Sequence, residues 1–192
     1  MKRFWQDVSV EPAGDGWQVT LDGRPILTQG SGAPQIVPTQ ALAEALSEEW
    51  RAQGAQVDPR GFILRDLADY AIDVVRPDRA AAADKLLPYA ETDTLCYRAD
   101  PDEALYRRQR ELWEPMLAAF EARHGVRLER VSGVVHRPHP PATAARLRGV
   151  VLAKDEFTLA ALHTLAPLGA SLSVALEALE AGFDAVQLFA IA

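Results

Sequence analysis

The histidines are the side chains of this sequence best suited to bind a metal or to transfer a proton. His136 and His139 lie three residues apart, a spacing that could bring two imidazoles near one ion. Metal binding needs two further donors, and the proline-rich stretch around these residues contains no cysteine or carboxylate. His163 lies in an apolar run, where a hydrogen-bonded core histidine is expected. We therefore predict neither a metal site nor a cofactor.

Cys96 is the only cysteine, and Tyr97 and Arg98 follow it directly. A neighbouring guanidinium favours the reactive thiolate, so a small enzyme that uses Cys96 is an alternative function for this chain. No histidine nearby in the sequence supplies a base, and a lone cysteine among apolar residues is usually buried and inert. The sequence also lacks a nucleophile elbow and a glycine-rich phosphate loop. We expect no catalytic residues and no enzymatic activity.

Three tryptophans lie beside charged residues and could anchor a protein interface. Trp5 follows Arg3, Trp50 precedes Arg51, and Trp113 has glutamates on both sides. Tryptophan and arginine are the residue types found most often at the centres of interfaces. Core tryptophans that expose only the indole N–H fit the same pattern, and the sequence leaves both alternatives open.

The charge of the chain excludes some classes of partner. Its 192 residues include 27 acidic and 20 basic side chains, a net charge of -7. A surface of this kind does not favour nucleic acid, because phosphates are neutralised by a concentrated basic face. The basic residues concentrate in residues 101–150, where nine arginines outnumber six acidic residues. Arginines at this density can pair with the carboxylates of an acidic protein surface.

Strands are predicted only in the first 38 residues. Alternating apolar residues precede Asp22-Gly23, a dipeptide typical of a tight hairpin, and a short return strand follows. From Thr39, a predicted N-cap, apolar residues recur at helical spacing through most of the chain. This pattern predicts an α+β protein, with a small N-terminal antiparallel β domain at residues 1–38 and a larger all-helical domain at residues 39–192.

Residues 157–176 carry no formal charge and are numerous enough to cross a bilayer. Polar side chains interrupt this run, and acidic residues flank it, so it does not resemble a membrane span. A buried helical hairpin that turns at Pro167-Leu168-Gly169 explains the pattern better. We predict no stable insertion into a membrane.

Short motifs along nearly the whole chain carry a resemblance to one protein family. They are Lys2-Arg3-Phe4-Trp5, Leu21-Asp22-Gly23-Arg24-Pro25, Pro38-Thr39, Glu49-Trp50-Arg51-Ala52-Gln53, Thr92-Asp93-Thr94-Leu95-Cys96-Tyr97-Arg98, Gln109, Trp113-Glu114-Pro115, Leu159-Ala160-Ala161-Leu162-His163 and Gly169-Ala170-Ser171-Leu172. In this order and spacing they resemble the ATP synthase assembly factor family, whose members chaperone the alpha subunit of the catalytic sector.

The resemblance implies a β domain followed by a helical domain, without catalytic activity. It implies a molecular chaperone whose transient partner is the unassembled alpha subunit of ATP synthase, held until the beta subunit replaces it. A subunit that stays in the finished complex is a further alternative. The positions that we predict to contact the partner are Trp5, Arg24, Trp50, Asp93, Tyr97, Arg98, Gln109 and Trp113.

The resemblance also bears on the compartment and on the end of the chain. Members of the family act in mitochondria and in alphaproteobacteria. The first residues show no targeting pattern, and 17 arginines against 3 lysines favour an alphaproteobacterial cytoplasmic protein. The mitochondrial matrix is expected if the chain is a mature eukaryotic form. The family has an acidic, tryptophan-containing tail after the final hairpin, and no residue of this sequence is assigned to it.

Overall fold

The N-terminal strands are joined by two tight turns. In the computed structural model, which describes residues 1–133 and 135–191, β1 (Val8–Ala13) pairs antiparallel with β2 (Gly16–Leu21). A two-residue strand, β3 (Arg24–Pro25), continues the sheet. Asp22 and Gly23 join β2 to β3 with φ angles of 49° and 74°, and positive φ at both positions is what a type I′ turn requires. The predicted antiparallel sheet is confirmed.

Two helices follow the sheet. The first, α1 (Gln40–Arg51), begins where predicted, because the hydroxyl of Thr39 accepts a hydrogen bond from the Leu42 N–H at 3.2 Å. Helix α1 packs against β1 and β2 through its buried face, which includes Leu46. The second, α2 (Ile63–Tyr70), continues into a π-helical turn at Ala71–Val75.

The chain divides into two units, Met1–Asp78 and Arg79–Ala192. The sequence places the division at residue 38, where strand patterns give way to helical ones. In the structure α1 and α2 lie in the same unit as the strands, because the apolar face of α1 covers the sheet. The first unit is therefore a sheet with α1 packed on it and α2 packed on α1.

The second unit is mainly helical. Its helices are α3 (Arg79–Asp84), α4 (Pro88–Glu91), α5 (Ala104–His124), α6 (Pro141–Leu152), α7 (Glu156–Gly169), α8 (Leu172–Glu177) and α9 (Ala185–Ile191). Two short strands, β4 (Tyr97–Arg98) and β5 (Val131–Ser132), pair in parallel and lie outside the helical pattern. The predicted α+β class, with its larger helical part, is confirmed.

The apolar run near the end forms a helical hairpin, but its turn lies later than predicted. Pro167, Leu168 and Gly169 belong to α7, and the chain turns at Ala170, whose φ is 44°. The turn falls there because the hydroxyl of Ser171 caps α8, accepting from the Val174 N–H at 3.0 Å. None of the helices within residues 1–133 and 135–191 combines the length and apolarity that crossing a membrane demands.

Candidate functional site: an arginine–glutamate network on the long helix

Two arginines and two glutamates form a network on one face of α5. Arg98, on β4, donates from Nη2 to Oε2 of Glu114 at 3.1 Å. Arg130, just before β5, donates to Oε1 of Glu114 at 2.8 Å and also pairs with Glu121. Residues seven positions apart lie on the same side of a helix, so Glu114 and Glu121 face the strand pair together. The network fastens β4 and β5 to α5.

Arg98 is held in an unusual setting for a cation. It is only 4% exposed, and its guanidinium lies over the ring of Trp113 at 5.1 Å. Its Nε and Nη1 groups are buried without a hydrogen-bond partner among the described residues. Burial lowers the pKa of Arg98, while the carboxylate of Glu114 acts in the opposite direction. Such a group costs stability, because each unpaired buried donor loses its hydrogen bond to water.

Two further predicted residues of α5 connect this helix to other segments. Oε1 of Gln109 accepts a hydrogen bond from the backbone N–H of Ala99 at 2.8 Å. Nε1 of Trp113 donates to the backbone carbonyl of Ile191, on α9, at 2.9 Å. Both side chains are half-buried. Solvent therefore reaches these two side chains, which lie on the same helix as Glu114.

A groove lined by two arginines and two glutamates lies next to the network. About 380 Å³ in volume, it is lined by Tyr106, Arg107 and Arg110 together with Glu111, Glu114 and Pro101. The guanidinium of Arg110 lies 6.0 Å from the ring of Tyr106. Exposed guanidinium groups beside an aromatic ring suit a carboxylate-bearing protein surface.

Tyr97, His136 and His139 make contacts separate from the network. The Tyr97 hydroxyl lies 2.9 Å from Nδ1 of the exposed His136. His139 is buried, accepts from the Glu129 N–H at Nδ1 and donates from Nε2 to the carbonyl of Ala90. Its nitrogens are thus occupied by the fold. The described part of the chain holds no cluster of three or more side chains able to ligate a metal.

Asp93 is fully buried and serves the fold. Its carboxylate accepts backbone N–H groups from Leu95 at 3.1 Å and from Ser173 at 2.9 Å. It therefore joins the segment before β4 to the first turn of α8. Burial raises the pKa of Asp93, and the hydrogen bonds from Ser173 and its neighbours act against this rise.

The predicted residues of the first unit are divided between its core and its surface. Trp5 and Trp50 are buried and meet edge to face, with ring centroids 5.1 Å apart, and Phe62 extends the cluster. Their indole nitrogens have no hydrogen-bond partner among the described residues. Arg24, on β3, is exposed. The core alternative therefore describes the environment of both tryptophans, and Arg24 lies free to meet a partner.

Cys96 is placed where thiol chemistry is suppressed. The side chain is buried, and burial followed by the charge of Asp93 raises its pKa to about 12. The thiolate that a cysteine enzyme needs is thus strongly disfavoured at neutral pH. The structure gives no support to the alternative of a Cys96-dependent enzyme.

The network contains three residues that the predicted partner-binding set leaves out: Glu114, Glu121 and Arg130. One signal in the sequence was available, since the two glutamates stand seven residues apart, on one face of a predicted helix. Their arginine partners lie 16 residues before and after Glu114. Helical periodicity carries no information about contacts at that separation.

Comparisons with known proteins agree with one another. The family model described as ATP12 chaperone protein matches residues 2–121. The crystal structure of Atp12 from Paracoccus denitrificans is 38% identical, with a TM-score of 0.92 over 99% of this chain and 81% of that one. The Atu1473 protein from Agrobacterium tumefaciens is 34% identical, with a TM-score of 0.91 over 99% of this chain and 71% of that one.

A curated relative is more distant in sequence. The mitochondrial protein atp12 of Schizosaccharomyces pombe is 25% identical over an alignment of 174 residues that covers 84% of this chain. The chain spans 60% of the length of that relative.

Proposed function

The chain belongs to the ATP12 chaperone protein family, and on this premise we propose that it is an assembly chaperone of ATP synthase. Its client is the unassembled alpha subunit, which it binds transiently until the beta subunit takes its place. The observation that carries the proposal is the family match over residues 2–121, together with a likeness to solved Atp12 structures along 99% of the chain.

The physical task of such a protein fits what the chain offers. An unassembled subunit exposes an apolar interface that aggregates readily. A holder must cover this surface and still yield to the native partner, so an interface that mixes aromatic and charged residues suits it better than a closed apolar one. The surface of α5, with its exposed arginines and half-buried Trp113, has this composition.

We propose that the predicted partner-binding residues separate into two groups. Arg24, Tyr97, Gln109 and Trp113 are exposed or half-buried, and we retain them as candidate contacts with the client. The other four are buried, and we assign them to supporting roles: Trp5, Trp50, Asp93 and Arg98. Substitutions in the second group should act on binding through the fold.

We also propose the compartment from the relatives. One is a mitochondrial protein and two are from bacteria, so the chain would act in a bacterial cytoplasm or in a mitochondrial matrix.

Co-expression tests the proposal directly. The cognate alpha subunit is produced with and without this chain, and its soluble fraction is measured after centrifugation. We expect the chain to keep the alpha subunit soluble and to co-purify with it, and added beta subunit to displace it. Equal precipitation in both samples would contradict the proposal. Capture of the beta subunit instead of the alpha subunit would contradict the choice of client.

A variant without the two arginines of the groove beside the network sharpens the test. Replacing Arg107 and Arg110 with glutamine removes two exposed charges of α5 without creating a cavity. We expect weaker capture of the alpha subunit at an unchanged melting temperature. The same substitution at Arg60, exposed on the first unit and paired only with Asp58 among the ion pairs of the described residues, is the control.

A further inference from the structure

A proline-rich segment between β5 and α6 lies open on the second unit. Residues 135–140 form neither helix nor strand, and their side chains are exposed with the exception of His139. Val135 is 73% exposed. Pro138, Pro140 and Pro141, the first residue of α6, are exposed as well. Residues 135–141 are called the proline ridge below.

Covalent geometry sets the conformation of the proline ridge. The ring of a proline holds φ at about −65°, and a residue that precedes a proline is kept in the extended region. Arg137, His139 and Pro140 each precede a proline. Pro140, to which both rules apply, has a φ of -52° and a ψ of 139°, close to the polyproline II conformation. Residues 137–140 are therefore held in a polyproline II helix, which has three residues per turn.

This threefold periodicity explains how the proline ridge is attached. His136 and His139 lie three residues apart, and both contact the rest of the second unit. The Tyr97 hydroxyl lies 2.9 Å from Nδ1 of His136, and Nε2 of His139 lies 2.9 Å from the carbonyl oxygen of Ala90. A spacing that could bring two imidazoles to one metal ion here places two anchors on one side of an extended segment.

Another side of the proline ridge is apolar and is not used by the fold. Val135, Pro138 and Pro141 repeat at the same interval of three residues, so they share a side that the histidines do not occupy. The carbonyl groups of Arg137 and Pro138 accept no hydrogen bond from the residues that the structure describes. A polyproline II helix has no internal hydrogen bonds, and these two acceptors are therefore available to a partner.

Arg137 adds a charge to this surface. Its side chain is exposed, and within residues 1–133 and 135–191 no ion pair or hydrogen bond holds its guanidinium. Arg130 and Arg148, by contrast, are each paired with a carboxylate of the same unit. A guanidinium without such a partner, next to exposed prolines, favours a binding surface that carries a carboxylate.

These features indicate the chemistry of the partner. Proline rings on an extended backbone are bound by grooves lined with aromatic side chains. Tyrosine and tryptophan supply both a ring that packs against the prolines and a donor for the free carbonyl groups. Because the proline ridge is already rigid, it loses little conformational entropy on binding, and a small contact can therefore contribute to affinity.

We propose that the proline ridge docks onto the unassembled alpha subunit, in a groove of that subunit lined by tyrosine or tryptophan and flanked by a carboxylate. The inference rests on the proposed function. It adds to that function a place of contact on this chain and the chemistry of the client surface that meets it.

The dissociation rate of the complex tests the contribution of the proline ridge. The tagged chain is co-expressed with the cognate alpha subunit, the complex is immobilised, and release of the alpha subunit is followed. Interface substitutions act mainly on this rate, so the double variant Val135→Ser, Pro138→Ala should release the alpha subunit about tenfold faster. Arg137→Gln should reduce the dependence of the rate on salt, because one charge pair is lost. The matched control, Pro12→Ala, changes an exposed proline of β1 and should leave the rate unchanged.

Photo-cross-linking locates the contact independently of the rates. Val135 is replaced with benzoylphenylalanine, the complex is irradiated, and the adduct is identified by mass spectrometry. We expect a cross-link to a segment of the alpha subunit that contains tyrosine or tryptophan. The same replacement at Pro12, exposed on β1, should give none.

The outcomes separate this inference from the proposed function. If the wild type holds the alpha subunit but all variants release it at one rate and position 135 gives no adduct, the proline ridge is not a docking element and the proposed function stands. An adduct with a second copy of this chain in place of the alpha subunit would also overturn the inference. A wild type that does not hold the alpha subunit would overturn the proposed function and the inference together.

Discussion

Replacing Arg98 with methionine should leave the second unit at least as stable as it is in the wild type. The substitution removes a buried guanidinium and keeps an apolar stem of similar length. Glu114 does not lose its compensation, since Arg130 still donates to it at 2.8 Å and its side chain is 42% exposed. The variant therefore leaves no carboxylate buried and unpaired.

The magnitude follows from the contacts of Arg98. The variant loses one charge-assisted hydrogen bond, about 1.5–3 kcal/mol, and a ring contact with Trp113 of about 1 kcal/mol. It also removes two buried N–H groups without partners, about 1–3 kcal/mol each, and the cost of burying a cation. We expect the free energy of unfolding to stay unchanged or to rise by up to about 2 kcal/mol.

Urea unfolding, followed by near-ultraviolet circular dichroism, measures this difference. Arg130→Met is the matched control, because it deprives the largely buried Glu121 of its arginine and should cost about 1–3 kcal/mol. If Arg98→Met lowers the free energy of unfolding by more than about 2 kcal/mol, the unpaired N–H groups of Arg98 do not cost the stability that we assign to them. If the variant is stable but no longer binds the alpha subunit, the role of Arg98 is in binding and not in stability.

Three further predictions concern substitutions or labelling at single positions. Because burial raises the pKa of Cys96 to about 12, alkylation followed by mass spectrometry should label it only after unfolding in urea. Burial also raises the pKa of Asp93 above its ordinary value of 3.8. The free energy of unfolding of the wild type should therefore fall as the pH rises from 3.8 through that higher pKa. Urea titrations at several pH values should show a smaller fall for Asp93→Asn. Gly149 lies within α6, and a Cβ added there meets no atom within 4 Å, so Gly149→Ala should raise the stability by about 0.5–1 kcal/mol in thermal unfolding. Gly30→Ala should instead lower the stability by about 1–3 kcal/mol, because its Cβ would lie 2.5 Å from the carboxylate of Asp73.

Elements specified by neighbouring residues could be predicted from the sequence. The Asp22-Gly23 turn and the Thr39 cap depend on residues within three positions of one another, and both form as predicted. The turn of the final hairpin could not be placed as well, because Pro167 is accommodated within α7 and Ser171 supplies a competing cap.

Contacts between residues far apart in the sequence could not be predicted from the sequence pattern. Arg98 and Arg130 meet on Glu114 only because β4 and β5 pair in parallel across more than 30 residues. The choice between core and interface for Trp50 was likewise open, since both settings favour the same residue type. Burial settled its environment, and the family comparison supports the proposed function, which local chemistry did not indicate.

Trp113 connects the network to α9, and its two contacts can be separated. The face of its ring lies under Arg98, whereas Nε1 donates to the carbonyl of Ile191 at the end of α9. Trp113→Phe keeps an aromatic face but removes the N–H and one of the two indole rings, so it should cost at least about 0.5–1.5 kcal/mol. We expect α9 to open more often, and limited digestion with chymotrypsin should cut faster beside Phe183 and Phe189. Arg98→Met keeps the Ile191 bond and should leave this rate unchanged, so equal acceleration in both variants would show that α9 is held by packing alone.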